Sequence, residues 1–280
     1  MTKEQSLALA FILLAWAAIL AVLPGCYNFS PGFYCAGSEP SLDEVAQTES
    51  YITFGEPSTD RRATVALVWG ANRIGCTGTA FNARTIITAA HCIENPPSGV
   101  VLEDGGYRYD TESVLVHPGY NLESETWPGP AYDLGLVFLA EDVPPPYVNT
   151  IYDPVAGGFA PDWRESCTGL VAQGFGQNEN GIAGKLRESP YLVVGMDSLS
   201  LKGRGVDGQS VCFGDSGGPL YAYTEAGHPD LPTDMLMLAG VHVASIHGGD
   251  LVCQGPTTHV NLINFKPWIL DSTQRGKGKP

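Results

Sequence analysis

Basic residues are scarce in this chain: 15 Lys and Arg stand against 30 Asp and Glu, a formal net charge of −15 over 280 residues. A surface of that sign repels phosphate, which excludes nucleic acid as a partner. The one loose basic cluster, Arg275, Lys277 and Lys279, falls in a Gly-rich C-terminal tail over 273–280. Metal-ligand spacing is missing too, because no two His or Cys residues stand four apart and no two Cys stand at the C-x₂₋₄-C separation of a zinc knuckle. No metal and no cofactor are expected. Internal repeats are not visible, and only one long apolar run occurs, over 7–23. Long helices are disfavoured, since 34 glycines and 21 prolines are spread along the chain rather than clustered.

Apolar residues make up 44% of the sequence, enough for a sizeable core in one domain or two tightly packed halves. Short apolar stretches bounded by Gly, Pro, Asn or Asp predict strands at 64–69, 79–81, 85–88, 113–116, 134–139, 170–172, 191–194, 235–243 and 258–262. The expected fold class is all-β, built as a barrel.

The most informative stretch is Cys212-Phe213-Gly214-Asp215-Ser216-Gly217-Gly218-Pro219. A serine hydroxyl is a weak nucleophile near neutral pH and needs a positioned base, while the oxyanion made by its attack needs backbone N–H donors. Gly214, Gly217 and Gly218 permit a turn that brings such donors close. Candidate partners stand in Thr88-Ala89-Ala90-His91-Cys92 and in Tyr132-Asp133-Leu134-Gly135. His91 precedes Asp133 by 42 residues, and Asp133 precedes Ser216 by 83.

In that order and spacing the three segments resemble the trypsin/chymotrypsin family of serine endopeptidases, over about 52–269. The resemblance implies two six-stranded antiparallel β-barrels with the active site in the cleft between them, followed by a short C-terminal helix near 264–269. It also implies roles. Ser216 attacks the scissile carbonyl, His91 is the base, Asp133 orients it, and the N–H groups of Gly214 and Ser216 form the oxyanion hole. A monomer acting on protein or peptide substrates is expected. The rival α/β-hydrolase elbow needs a helix directly after the serine and a Ser, acid, His order. Pro219 after two glycines opposes that helix. A second function class stays open: a protease fold that binds without turnover, or a precursor never cleaved.

Residues 1–25 read as an export signal, with Lys3 near the start, the apolar run, and then Pro24-Gly25-Cys26. Leu23 at −3, Gly25 at −1 and Cys26 at +1 look like a bacterial lipobox, from which Pro24 departs. A lipoprotein held at the outer membrane or cell surface through Cys26 is the first expectation, with simple secretion and an uncleaved anchor as alternatives. The expected location is extracytoplasmic in each case. Residues 26–51 then form a propeptide or linker and 52–272 the protease domain.

Seven cysteines in an exported chain should mostly pair. The family resemblance implies Cys76–Cys92 and Cys212–Cys253. With Cys26 lipidated, Cys35 and Cys167 remain for a third bridge; the alternative is a local Cys26–Cys35 pair with Cys167 free. The resemblance further implies an activation device in which Asp215 pairs with a new ammonium at Ile52, released by cleavage after Tyr51. Ser210, six residues before the nucleophile, takes the family's pocket-floor position, and Gly255 aligns with a pocket wall. A neutral hydroxyl offers no countercharge to Lys or Arg, so a chymotrypsin-like preference for Tyr, Phe or Leu before the scissile bond is expected.

Overall fold

The computed structural model describes residues 52–276 apart from 53–54, 59–61, 72, 104–105, 122–131, 153–169, 179, 207–208, 224–235, 246–252 and 254–255. These residues belong to one unit, Phe33–Pro280. The export segment, Cys26, Cys35, Tyr51, Cys167 and Gly255 lie outside the described residues.

Strands β1 (Glu56–Pro57), β2 (Thr64–Trp69), β3 (Arg73–Asn82), β4 (Thr85–Thr88), β5 (Gly99–Val101), β6 (Arg108–Val116) and β7 (Gly135–Leu139) come first along the chain. They are followed by β8 (Leu170–Gly174), β9 (Arg187–Met196), β10 (Ser200–Gly205), β11 (Pro219–Tyr223), β12 (Leu236–Ser245) and β13 (Thr257–Asn261). One barrel closes in the order β2-β3-β4-β7-β6-β5. The second runs β9-β10-β13-β12-β11-β8, with β8 returning to β9 and β1 also paired to β9. The two closed six-stranded antiparallel barrels are those the sequence led us to expect.

Period-two alternation decides which way each strand faces. On β2, Val65 and Leu67 enter the large core cluster with Ile86, Leu136 and Leu139. Ala66 and Val68 point the other way, to Val101 and to Phe175 at the end of β8. That second face joins the barrels, so β2 is apolar on both faces from Val65 to Trp69 instead of half polar. Each such side chain withdrawn from water contributes about 1.5–3 kcal/mol. On β11, Leu220 and Ala222 fill the second barrel with Tyr191, Leu201 and Val211, while Tyr221 turns to the first cluster.

A 3₁₀ turn (Leu262–Phe265) leads into helix α1 (Lys266–Gly276), longer than expected: it takes in 273–276, which the Gly-rich composition marks as a flexible tail, because Ser272 and Thr273 are buried against the domain. Pro267 falls in its first turn, where a missing N–H costs nothing. Ile269 is fully buried. The His117 ring lies 4.7 Å from Trp268 and 5.1 Å from Phe265, and stacks on Tyr132 at 5.3 Å. The helix thereby braces the residue that precedes Asp133. No helix among the described residues is long and apolar enough to cross a membrane.

Candidate active site

The pairing of β4 with β7 sets Thr88 opposite Gly135. The chain leaving β4 and the chain entering β7 therefore meet at one barrel end, which brings His91 to Asp133. Asp133 is buried, and its Oδ1 accepts the His91 backbone N–H at 2.8 Å while Oδ2 accepts from Nδ1 at 2.6 Å. Burial lowers the imidazole's proton affinity, but the hydrogen bond and charge of Asp133, helped by Glu94, outweigh it. His91 thus holds its proton above the ordinary histidine range.

Ser216 comes from the other barrel, on the loop between β10 and β11. Its carbonyl accepts the Thr77 N–H at 2.8 Å and lies 3.5 Å from Cys92 Sγ. The same sulfur is 3.6 Å from His91 Nε2, so one disulfide touches both the serine residue and the imidazole. Cys76–Cys92 is formed with a Cα separation of 6.1 Å, and Cys212–Cys253 with 5.1 Å. Cys76, His91 and Cys92 place their ligand atoms within 4.8 Å of one another, but the two sulfurs are spent in the disulfide and offer no thiolate.

The backbone around Ser216 is tied down selectively. Asp215 N–H donates to Cys212 O at 3.0 Å, Gly217 N–H to His242 O at 2.7 Å, and Gly218 N–H to Asp215 O at 2.8 Å. Gly214 N–H and Ser216 N–H have no acceptor among the described residues. Gly214 and Gly217 adopt φ of +93° and +81°, which a side chain would strain. A Cβ on Gly217 would also stand 2.0 Å from Thr88 Oγ1.

Thr77, which stands in no recognisable motif, holds this loop to the first barrel. Its hydroxyl donates to Gly214 O at 2.8 Å and accepts the Phe175 N–H at 3.1 Å. Its carbonyl accepts from Thr88 Oγ1 at 2.9 Å. No local motif marks it, since the role depends on β3 facing a loop 137 residues away.

Asp215 is fully buried, with Oδ2 accepting the Cys212 N–H and Oδ1 the Gly176 N–H, each at 2.8 Å. Burial pushes its carboxyl up to about 6, against the pull of those two donors and of the Arg187 charge. Ile52 is 2% exposed and packs in the second barrel with Val211 and Tyr191. Ser210 is buried, and its hydroxyl is hydrogen-bonded to Tyr191. Phe213, unassigned from sequence, is 55% exposed beside Gly214. On the disulfide side of His91 lies a recess of about 290 Å³ lined by Trp69, Arg73, Gly75, Cys76, Cys92 and Asn95.

The Trypsin family profile matches residues 52–269. CLIP domain-containing serine protease B4 of Anopheles gambiae is 26% identical over 70% of this chain and 61% of its own length. Phenoloxidase-activating factor 3 of Holotrichia diomphalia is 24% identical over 57% of this chain and 54% of its own. Trypsin zeta of Drosophila melanogaster is 25% identical over 69% and 72% respectively. The chain thus spans little more than half the length of the first two relatives.

Proposed function

The chain belongs to the trypsin family of serine proteases, and from that premise we propose that it is a serine endopeptidase working through Ser216, His91 and Asp133. One observation carries it above the others: on the nucleophile loop, Gly214 and Ser216 have N–H groups with no acceptor among the described residues. An oxyanion at the scissile carbon would accept both, and losing one such donor costs about a hundred- to a thousandfold in rate. His91 takes the Ser216 proton on attack and returns it to the leaving amine, while Asp133 keeps Nδ1 protonated and Nε2 turned to the reaction. An acyl-enzyme forms and is then hydrolysed. The segment beyond the scissile bond leaves on the His91 side, where the recess with Trp69 and Arg73 would receive it.

Activation is proposed to follow cleavage between Tyr51 and Ile52. A fully buried carboxylate that burial pushes up, despite two N–H donors and the charge of Arg187, is under-compensated, and the new ammonium at Ile52 would favour its ionised form. The neutral Ser210 gives no countercharge for Lys or Arg; taken alone it supports a large uncharged side chain, Tyr, Phe or Leu. Two disulfides suit a location outside the cytoplasm. Lipid attachment at Cys26 is proposed from the 23–26 pattern alone. The relatives named above are insect proteins and lend a bacterial origin no support.

The test is labelling of the full chain with a fluorophosphonate probe, before and after limited proteolysis, beside Ser216→Ala. Labelling of the cleaved wild type alone is expected. Equal labelling of the Ser216→Ala chain, or none in any form, would remove the endopeptidase reading in favour of a silent binding protein.

A further inference from the structure

Directly beneath the nucleophile loop lies a pair of buried histidines that the triad does not use. His242, on β12, is locked to that loop from both sides: its carbonyl accepts the Gly217 N–H at 2.7 Å and its own N–H donates to Gly218 O at 2.8 Å. The β12–β13 register sets His242 opposite His259, and the two rings meet edge to face at 5.2 Å. They are 2% and 0% exposed.

A hydrogen-bonded chain leads from this pair to the pocket floor. His259 Nε2 is 3.1 Å from Thr257 Oγ1, and that hydroxyl is 2.5 Å from Tyr191 OH. Tyr191 in turn bonds the Ser210 hydroxyl and the Val211 backbone. The groups behind Ser210 are therefore polar, not the apolar lining that a Tyr, Phe or Leu side chain would want.

Nδ1 of His242 and Nδ1 of His259 have no hydrogen-bond partner among the described residues. Buried polar atoms are nearly always satisfied, so such a pair at a binding site points to a partner that arrives with the ligand. Burial keeps both rings neutral in the empty site, with His259 down at about 3. The other titratable groups facing them are Tyr191 on β9, whose ring lies 5.3 Å from His259, and His91 across the cleft. Neither supplies an anion, so an incoming positive side chain gains nothing, while an incoming negative one meets imidazoles able to accept a proton.

Resting on the peptidase reading above, we propose that the pocket floored by Ser210 selects an acidic side chain, Glu or Asp, before the scissile bond, with its carboxylate bound by His242 and backed by His259. Binding draws one proton from solvent onto the imidazole, and the substrate carboxylate remains the anion. This replaces the preference inferred from Ser210 alone.

The experiment is a fluorogenic peptide panel with Glu, Asp, Gln, Phe, Leu or Arg before the scissile bond, run on the full chain after activating cleavage. Expected is a kcat/KM for Glu or Asp at least about tenfold above Gln and Phe, since a site built around a polar contact rejects ligands that lack it. The Glu-to-Gln ratio should fall as pH rises from about 6 to about 9, because binding takes up a proton. His242→Val, which keeps a strand-forming residue, should collapse the ratio toward one, and His259→Phe, which keeps a ring, should reduce it. Should either buried variant fail to fold, the wild-type ratio and its pH dependence decide. Phe or Leu peptides outrunning Glu and Asp would overturn this assignment and leave the peptidase reading standing. A chain that turns over no peptide and takes no fluorophosphonate would end both.

Discussion

Asp133 grips His91 at two points, accepting its backbone N–H at 2.8 Å and its Nδ1–H at 2.6 Å. The double contact fixes both the position of the residue and the tautomer of its ring. Asp133→Asn should keep the first contact and invert the second, since an amide can present its NH₂ where the carboxylate accepted. A fall of about 10⁴ in kcat is expected. Loss of the carboxylate also removes the influence that raises His91. A group raised in the folded state keeps its proton to higher pH, so wild-type activity should disappear on acidification sooner than an ordinary histidine would dictate. In the variant the acidic limb of the residual kcat/KM profile should move to lower pH. An unmoved limb would mean that Asp133 does not tune the base.

Thr77 offers a test of how the oxyanion loop is held. Thr77→Val preserves shape and β-branching but strips the partner from Gly214 O and Phe175 N–H. Leaving such groups unpaired costs about 1–3 kcal/mol. Because Gly214 carries a proposed oxyanion donor, kcat should fall by about tenfold or more while KM changes little. Thr77→Ser should recover most of the loss. Unfolding curves and steady-state kinetics on the same preparations would check both, and an active Thr77→Val would show that the loop holds itself.

These two residues also mark where the sequence was legible. Asp133, His91 and Ser216 announce themselves in local motifs, and β2 and β4 have the predicted bounds because their apolar residues, Val65 to Trp69 and Ile86-Ile87, are joined only by β-branched threonines at the strand ends. β10 escaped notice. It reads SLKGRG, and its buried positions are Leu201, Gly203 and Gly205, so two of three inward residues are glycines with no hydrophobic signal. A Cβ on Gly203 would stand 2.9 Å from the Tyr191 ring, which explains why the strand is built that way. His242 and His259 stand in no local motif that marks them as functional. Their meaning depends on which residue of β12 lies opposite which of β13, a tertiary fact that spacing along the chain does not encode.

The two disulfides should separate in their effects. Cys212–Cys253 spans 41 residues and Cys76–Cys92 spans 16, so loop-closure entropy assigns them about 4 and about 3 kcal/mol. Replacing either pair with alanine should lower the denaturation midpoint accordingly. The functional costs differ in kind. Cys92 Sγ touches the Ser216 carbonyl and the His91 ring, so losing that bridge should impair turnover beyond its stability cost. Urea unfolding and fluorophosphonate labelling rates on each double variant would measure the two separately. Equal labelling rates would refute a catalytic contribution from the Cys76–Cys92 bridge.

Asp215 predicts a pH signature that fades on activation. Burial raises its carboxyl to about 6 in the folded chain, against about 4 when unfolded. The folded state therefore holds the extra proton between those values, and by linkage the uncleaved chain loses stability as pH rises through that window, by about 3 kcal/mol, then levels off. An ammonium at Ile52 would favour the ionised form and lower the folded value. The cleaved chain should then lose little over the same range and stand above the uncleaved one at neutral pH. Asp215→Asn should flatten the uncleaved profile, raise its neutral-pH stability, and remove the gain on cleavage together with the activity. Thermal unfolding of both forms at about pH 4 and about pH 7 would measure this. Parallel shifts in cleaved and uncleaved wild type would mean that Ile52 and Asp215 never pair.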